Sequence, residues 1–246
     1  MTNWDVYWLL MMKIVLSNYR YHVTGGPERY LFSIKKLLES EGHSVFPFSV
    51  KSSRNIKTEY EKYFLSPIDR MDSDFFEEYR RNARTFFKVM SRQFFSIEGY
   101  RKAKDFCLRF RPDLVYCFHF LNKMSPSVLD GFKSAGIPIV ARLSDFGLIC
   151  PNGHFLSGGQ ICEKCLGGAF YNAAFERCIK NSFSAGLVKA LAWYFHRIAG
   201  SINRINAFVC PSEFLKEKLI EAGYPEKKVH HVPTFINLKN IKPSNT

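Results

Sequence analysis

The chain has 246 residues, 46% hydrophobic and 16% aromatic, enough to bury a large core and too apolar for a disordered polypeptide. Its formal net charge of +13 points to an anionic partner: a phosphorylated substrate, a lipid surface or nucleic acid. No apolar run reaches the roughly 18 residues of a membrane-spanning helix, no signal peptide is legible, and seven cysteines without one suit a reducing cytoplasm.

Residues 1–12 read as an N-terminal extension, because the first clean strand pattern is "KIVLSN" from Lys13. The loop "HVTGGP" follows, then a helix whose apolar stripe is Tyr30, Ile34, Leu37 and Leu38 and which Gly42 ends. "HSVFPFSV" is a second strand, and residues 51–74 are polar and irregular. A helical stretch, broken near Ser96, runs to Phe110 and leads into the strand "LVYCFH". Ser125 opens a short helix, and "IVARL" is the next buried strand. A cysteine-rich insertion spans about 148–180. A helix then extends from about Phe183 to Ile205, with Phe183, Leu187, Leu191, Tyr194, Ile198, Ile202 and Ile205 expected to face the core and Lys189, Trp193, His196, Arg197 and Arg204 to face outward, as a solvated basic face or as one resting on anionic lipid with Trp193 at the interface. "AFVCP", a helix capped by Ser212, and "KVHHVPTFI" close the series. Alternating strands and helices predict an α/β, doubly wound, Rossmann-like parallel sheet.

In such a sheet, ligands bind beyond the carboxyl ends of the strands. Gly25 and Gly26 stand there, before a helix N-terminus whose N–H groups could meet an anion, although a plain structural turn explains them equally well. The sequence there is neither a dinucleotide fingerprint nor a P-loop. His119 ends one strand, and Asp145 follows another in "RLSDF", so both should reach the same edge. Arg142 could neutralise a phosphate or pair with a neighbour.

Cys150, Cys162, Cys165 and Cys178 have the spacing C-x11-C-x2-C-x12-C, and the central "CEKCLGG" is like a zinc knuckle. Four soft ligands would form a closed structural zinc site rather than a catalytic one; a disulfide or unligated thiols are the alternatives. His154 is a spare candidate ligand. Cys107, Cys117 and Cys210 lie on apolar runs and read as core residues.

In order, "KIVLSNYRYHVTGGPERY", "LVYCFHFLN", "IVARLSDFGLICPNG", "CEKCLGG" and "AFVCPSEFLKEKLIEAGYPEKKVHHVPTFIN" resemble the N-terminal, acceptor-side domain of family 4 (group 1) glycosyltransferases, which have the GT-B fold. The resemblance covers residues 13–237. It implies hexosyl transfer, mostly retaining and without a catalytic metal, from a nucleotide-sugar to a glycan or lipid-linked acceptor. It implies a place in bacterial surface polysaccharide synthesis, with the enzyme cytoplasmic and peripheral on the inner face of the membrane.

Gly25 and Gly26 match the family's glycine loop, His119 a strand-end histidine, Asp145 the acid of a "T-L-H-D"-like motif, and Ser212 the "P-S" at a helix start near the cleft. Ser144 stands where the family usually has His. The donor-binding domain, with its paired glutamates, would follow a linker beginning at residues 238–246. The chain alone is therefore expected to be inactive unless that domain is supplied in cis or in trans. The rival expectation is a non-catalytic module with a zinc-stapled fold that binds anionic lipid or polymer. Nothing resembles a nucleic-acid-binding motif.

Overall fold

The computed structural model describes residues 11–70 and 78–235. Most of the expected N-terminal extension, the start of the helical stretch before Phe110 and the expected linker at 238–246 lie outside the described residues. In chain order the elements are β1 (Lys13–Ser17), α1 (Gly26–Ser40), β2 (Ser44–Phe48), α2 (Ala83–Gln93), α3 (Ile97–Phe110), β3 (Leu114–Cys117), α4 (Ser127–Ser134), β4 (Ile139–Arg142), β5 (Leu156–Ser157), β6 (Gln160–Ile161), α5 (Asn172–Phe175), α6 (Phe183–Ala199), β7 (Ala207–Cys210), α7 (Glu213–Glu221) and β8 (Val229–His231).

Six strands form one sheet in the order β2-β1-β3-β4-β7-β8, with every pairing parallel. The doubly wound class expected from the sequence is the observed one. β1 shows why the sheet is covered on both faces. Val15 packs with Ala103, Phe106, Leu129 and Phe132 of α3 and α4, while its neighbours Ile14 and Leu16 point the other way, onto Tyr30 and Leu31 of α1. The chain leaves β1 for β2 on one side and returns to β3 on the other, so the topological switch point lies between β1 and β3.

Ser96 breaks the α2–α3 stretch as expected: its hydroxyl accepts the Gly99 N–H at 3.0 Å as the N-cap of α3. The fully buried Arg92 of α2 holds this corner, donating to Ser96 Oγ, Glu98 Oε2 and the carbonyls of Ser66 and Met124.

α6 corrects the sequence reading. It stops at Ala199, where Gly200 takes a left-handed conformation, and most of its inward and outward positions are exchanged, although Arg197 is exposed as expected. Gly186, Ala190, Trp193 and His196 are buried, whereas Phe183, Leu187, Leu191 and Ile198 are exposed. Close packing is the reason: a Cβ on Gly186 would lie 2.2 Å from the Ala173 carbonyl of α5, so only the small-residue face can approach. Lys189 is drawn inward as well, donating to Asn122 Oδ1 with its ammonium 5.1 Å from the Trp193 ring centre.

Burial lowers Lys189 from 10.5 to about 7. The unfolded chain therefore binds the extra proton between about pH 7 and pH 10, and stability rises with pH across that window by up to about 1.4 kcal/mol per unit. Urea unfolding at pH 7 and pH 9 should show a gain in wild type that Lys189→Met largely removes; equal pH slopes would refute the assignment.

Among the described residues, no helix is long and apolar enough to cross a membrane.

Candidate functional site

Asn18, just past β1, fixes the edge of the site. Its N–H donates to the Phe48 carbonyl, its Oδ1 accepts the His119 N–H at 3.1 Å, and its Nδ2 donates to the Arg20 carbonyl. One side chain thus locks the carboxyl ends of β1 and β3 together. Tyr19 meets the His119 ring edge-on at 5.8 Å, and the Arg20 guanidinium lies 4.7 Å from the centre of the Tyr19 ring. From β4, Ser144 and Asp145 complete the rim of a cleft of about 540 Å³, which Lys123, His154 and Trp193 also line.

His119 Nε2 and Asp145 Oδ2 are 3.9 Å apart, too far for a direct hydrogen bond and close enough for one hydroxyl oxygen to bridge. Among the described residues, His119 Nδ1 is buried without a hydrogen-bond partner. Burial pulls the His119 pKa below the usual imidazole value; Asp145 and Glu28 oppose that shift, while Arg20 and Arg142 add to it. The ring is therefore neutral at pH 7 and able to accept a proton. Asp145 is held by the turn it starts, its Oδ1 accepting the Gly147 N–H at 2.8 Å.

Arg142 is buried beneath this pair. It donates to Ser144 Oγ at 2.9 Å and Thr234 Oγ1 at 2.7 Å, and it stacks 3.8 Å from the centre of the Tyr30 ring. With its fork so engaged, it acts as a fixed positive charge in the cleft wall.

The glycine loop differs from expectation. The Gly25 N–H is already bonded to Glu28 Oε2 at 3.1 Å, and the Thr24 hydroxyl donates to the same oxygen, so a buried carboxylate occupies the helix N-terminus where an anion was expected. Gly25 has an extended backbone, which any residue adopts. Arg20 joins the loop to the cleft: its Nη1 donates to Thr24 Oγ1 and lies 4.0 Å from Glu28.

Ser212 caps α7 by accepting the Leu215 N–H and does not line the cleft, so its observed role is structural. Tyr19, Arg20, Glu28 and Trp193 were not singled out as site residues from sequence. The first two could have been found from their place directly after β1 at the switch point.

The cysteines depart from the zinc expectation. Among the described residues no group of three or more His, Cys, Asp or Glu side chains is arranged to hold a metal ion, and all seven cysteines are free. Cys165 packs with Phe170, Ala173 and Trp193; burial first, then the nearby Cys150, Cys178 and Cys162, raise it to about 12. Cys178 Sγ turns to the Ala173 carbonyl at 3.7 Å. Burial raises Cys178 as well, so Cys165 and Cys178 serve as packing groups. Cys107, Cys117 and Cys210 are buried in the main core, as expected.

The fold is that of a Rossmann-like domain with a cleft beside its switch point, lined by Arg20, Lys123 and Arg142. Residues 171–240 match the model of Glycosyltransferase Family 4, so the segment running from α5 through β8 is family 4-like. Among solved structures the chain is similar to the lipopolysaccharide outer core galactosyltransferase WaaB in its apo form, with 12% identity and a TM-score of 0.49, over 94% of this chain and 48% of that one. It is also similar to UDP-N-acetylglucosamine 2-epimerase from Rickettsia bellii, with 13% identity and a TM-score of 0.44 over 92% and 45% of the two chains. Anabaena HepE in complex with UDP and glucose gives 15% identity and a TM-score of 0.39 over 95% and 47%. The chain spans about half the length of these structures. No curated protein matches it.

Proposed function

We propose that this chain is the acceptor-side domain of a glycosyltransferase that moves a hexosyl group from a nucleotide-sugar to a hydroxyl of a glycan or lipid-linked acceptor, as in bacterial surface polysaccharide synthesis. The observation that carries the reading is the His119–Asp145 gap at the switch point, walled by Arg142 and Arg20. The acceptor hydroxyl bridges the gap and gives its proton toward neutral His119. Asp145 orients that hydroxyl, and Arg20 and Arg142 offset the charge that develops on the donor phosphates. Ser144 takes the polar place of the family's usual His. Gly26, where a Cβ would meet open space, borders the donor phosphates; Gly25 positions it, its own N–H committed to Glu28, and Ser212 holds α7 as its N-cap away from the cleft.

The wall that grips the nucleotide belongs to a donor-binding domain, in cis or in trans, and without it water enters the cleft and turnover fails. Domain limits follow the same reading: an extension at 1–12, the domain at 13–237 with a cysteine-rich insertion at 148–180, and a linker from 238.

The test is transfer of label from radioactive UDP-hexoses, with the donor-binding domain present, into polymer or lipid-extractable product. Label in either fraction is expected. Label released only as free hexose, or none transferred at all, contradicts the proposal.

Gly26 gives a separate check. A Cβ there meets nothing within 4 Å, so Gly26→Ala should leave the unfolding midpoint unchanged or slightly raised and lower transfer by crowding the donor phosphates. Unchanged transfer would remove Gly26 from the site.

A further inference from the structure

The "LGG" that follows Cys165 builds a seat for an arginine. Gly167 and Gly168 both have left-handed backbones, with φ of 80° and 101°, and a Cβ on Gly168 would collide with the Arg197 guanidinium. Two residues without side chains thus let Arg197 lie against the loop, where its Nη1 donates to the Gly167 carbonyl at 3.4 Å. Among the described residues this is the only hydrogen bond of that guanidinium, so most of its five N–H donors are uncommitted.

Arg197 stands on the rim of a second cavity of about 370 Å³, a size within the range of small-molecule sites. Leu121, Leu148 and Trp193 form its common wall with the cleft. The floor is apolar, made by the buried Leu148, Ile149, Phe170 and Trp193, while the exposed Arg197 and Asn203 and the half-buried Tyr224 make a polar rim.

Charge and hydrogen bonding select the ligand. No aspartate or glutamate lines this cavity among the described residues. His196, only 4% exposed, is pulled by burial below the usual imidazole value and is neutral at pH 7. Its Nε2 donates to the Gln93 carbonyl at 2.7 Å, and its Nδ1 has no partner among the described residues. Burial pushes Tyr224 up to about 12, so it keeps its O–H. Arg197 is therefore the one ionised group among these wall residues, and nothing there neutralises it. An apolar floor beneath an uncompensated guanidinium fits an oxyanion on an apolar body.

We propose that the second cavity binds a small organic anion, its carboxylate or phosphate head on Arg197 and its apolar body against Phe170 and Trp193. The site is distinct from the His119–Asp145 gap but shares a wall with it. Trp193 Nε1 donates to the Gly147 carbonyl, and the Gly147 N–H holds Asp145 Oδ1, so an occupant presses on the side chain that backs the Asp145 turn.

The experiment is an NMR titration of the chain with benzoate, phenyl phosphate and the neutral benzamide, read at the amides of Gly167, Gly168 and Gly223, which line this cavity and not the cleft. Benzoate or phenyl phosphate should shift them saturably, and the tighter of the two identifies the head group. Benzamide should bind at least about tenfold more weakly, and Arg197→Gln should weaken the anion by a similar factor. Arg197 is exposed, so circular dichroism of that variant should show an unchanged fold. The titration involves no sugar transfer and stands or falls apart from the acceptor-side reading. No saturable shift from either anion, equal affinity for benzamide, or equal affinity in Arg197→Gln overturns the proposal. Shifts confined to His119, Ser144 and Asp145 also overturn it, by assigning the anion to the cleft.

Discussion

Asp145→Asn is expected to lower sugar transfer by about 10²- to 10⁴-fold, the usual contribution of a positioned acid–base group, with no change in the unfolding midpoint. The substitution is conservative for the fold because Asn keeps the Oδ1 that accepts the Gly147 N–H and so preserves the turn after β4. It removes the negative charge 3.9 Å from His119 Nε2, and with it the partner that orients a bridging hydroxyl. The pH profile carries the sign. Because burial keeps His119 below its ordinary value, transfer should fall as pH drops through that lowered pKa and protonates the ring. Asp145 is the strongest influence that raises His119, so Asp145→Asn should move the acid limb to still lower pH. His119→Asn should abolish that limb. A wild-type rate in Asp145→Asn would remove the carboxylate from the chemistry.

Arg92→Ala should cost about 2–4 kcal/mol, because it empties a buried site and leaves buried carbonyls without their donor. Arg92 is wholly buried, and its Nη2 lies 2.9 Å from Glu98 Oε2. Burial pushes the Glu98 carboxyl up, but the Ser66 N–H, Arg92, the Ser66 hydroxyl and Lys88 together hold it below the usual carboxylate value. Removing Arg92 takes one cation from that carboxylate, which keeps the Ser66 N–H, the Ser66 hydroxyl and Lys102 at 3.8 Å, and leaves the Met124 and Ser66 carbonyls without this donor. The effect reaches the cleft, because the Met124 carbonyl belongs to the loop after β3 that also carries Asn122 and Lys123. Urea unfolding at neutral pH checks the prediction; a loss below about 1 kcal/mol would mean that water replaces the guanidinium.

Regular structure was largely legible where one force dominated. Short β-branched runs became the strands, and Ser96 and Ser212 cap helices where their positions implied. α6 was misread because hydrophobicity alone assigned its inner face. The deciding feature is steric: Gly186 and Ala190 let α6 approach α5, and the larger apolar residues are left outside. His119, Asp145 and Arg142 were picked out from their places at strand ends and Ser144 from the family resemblance, and the structure brings all four to one cleft. Glu28 was not picked out, because its capture of the Gly25 N–H and Thr24 hydroxyl depends on how the chain folds back before α1. The cysteine spacing suggested four ligands, but spacing says nothing of thiol direction, and Cys165 and Cys178 are oriented by packing and by the Ala173 carbonyl.

The most direct test of the central claim, that the loops after β1, β3 and β4 form a sugar-binding crevice, is a protein-observed NMR titration with UDP-glucose and with short oligosaccharides. Oligosaccharide shifts should cluster at Tyr19, Arg20, His119, Ser144 and Asp145. Shifts confined to the second cavity around His196, Arg197 and Tyr224, or no shifts at all, would contradict it.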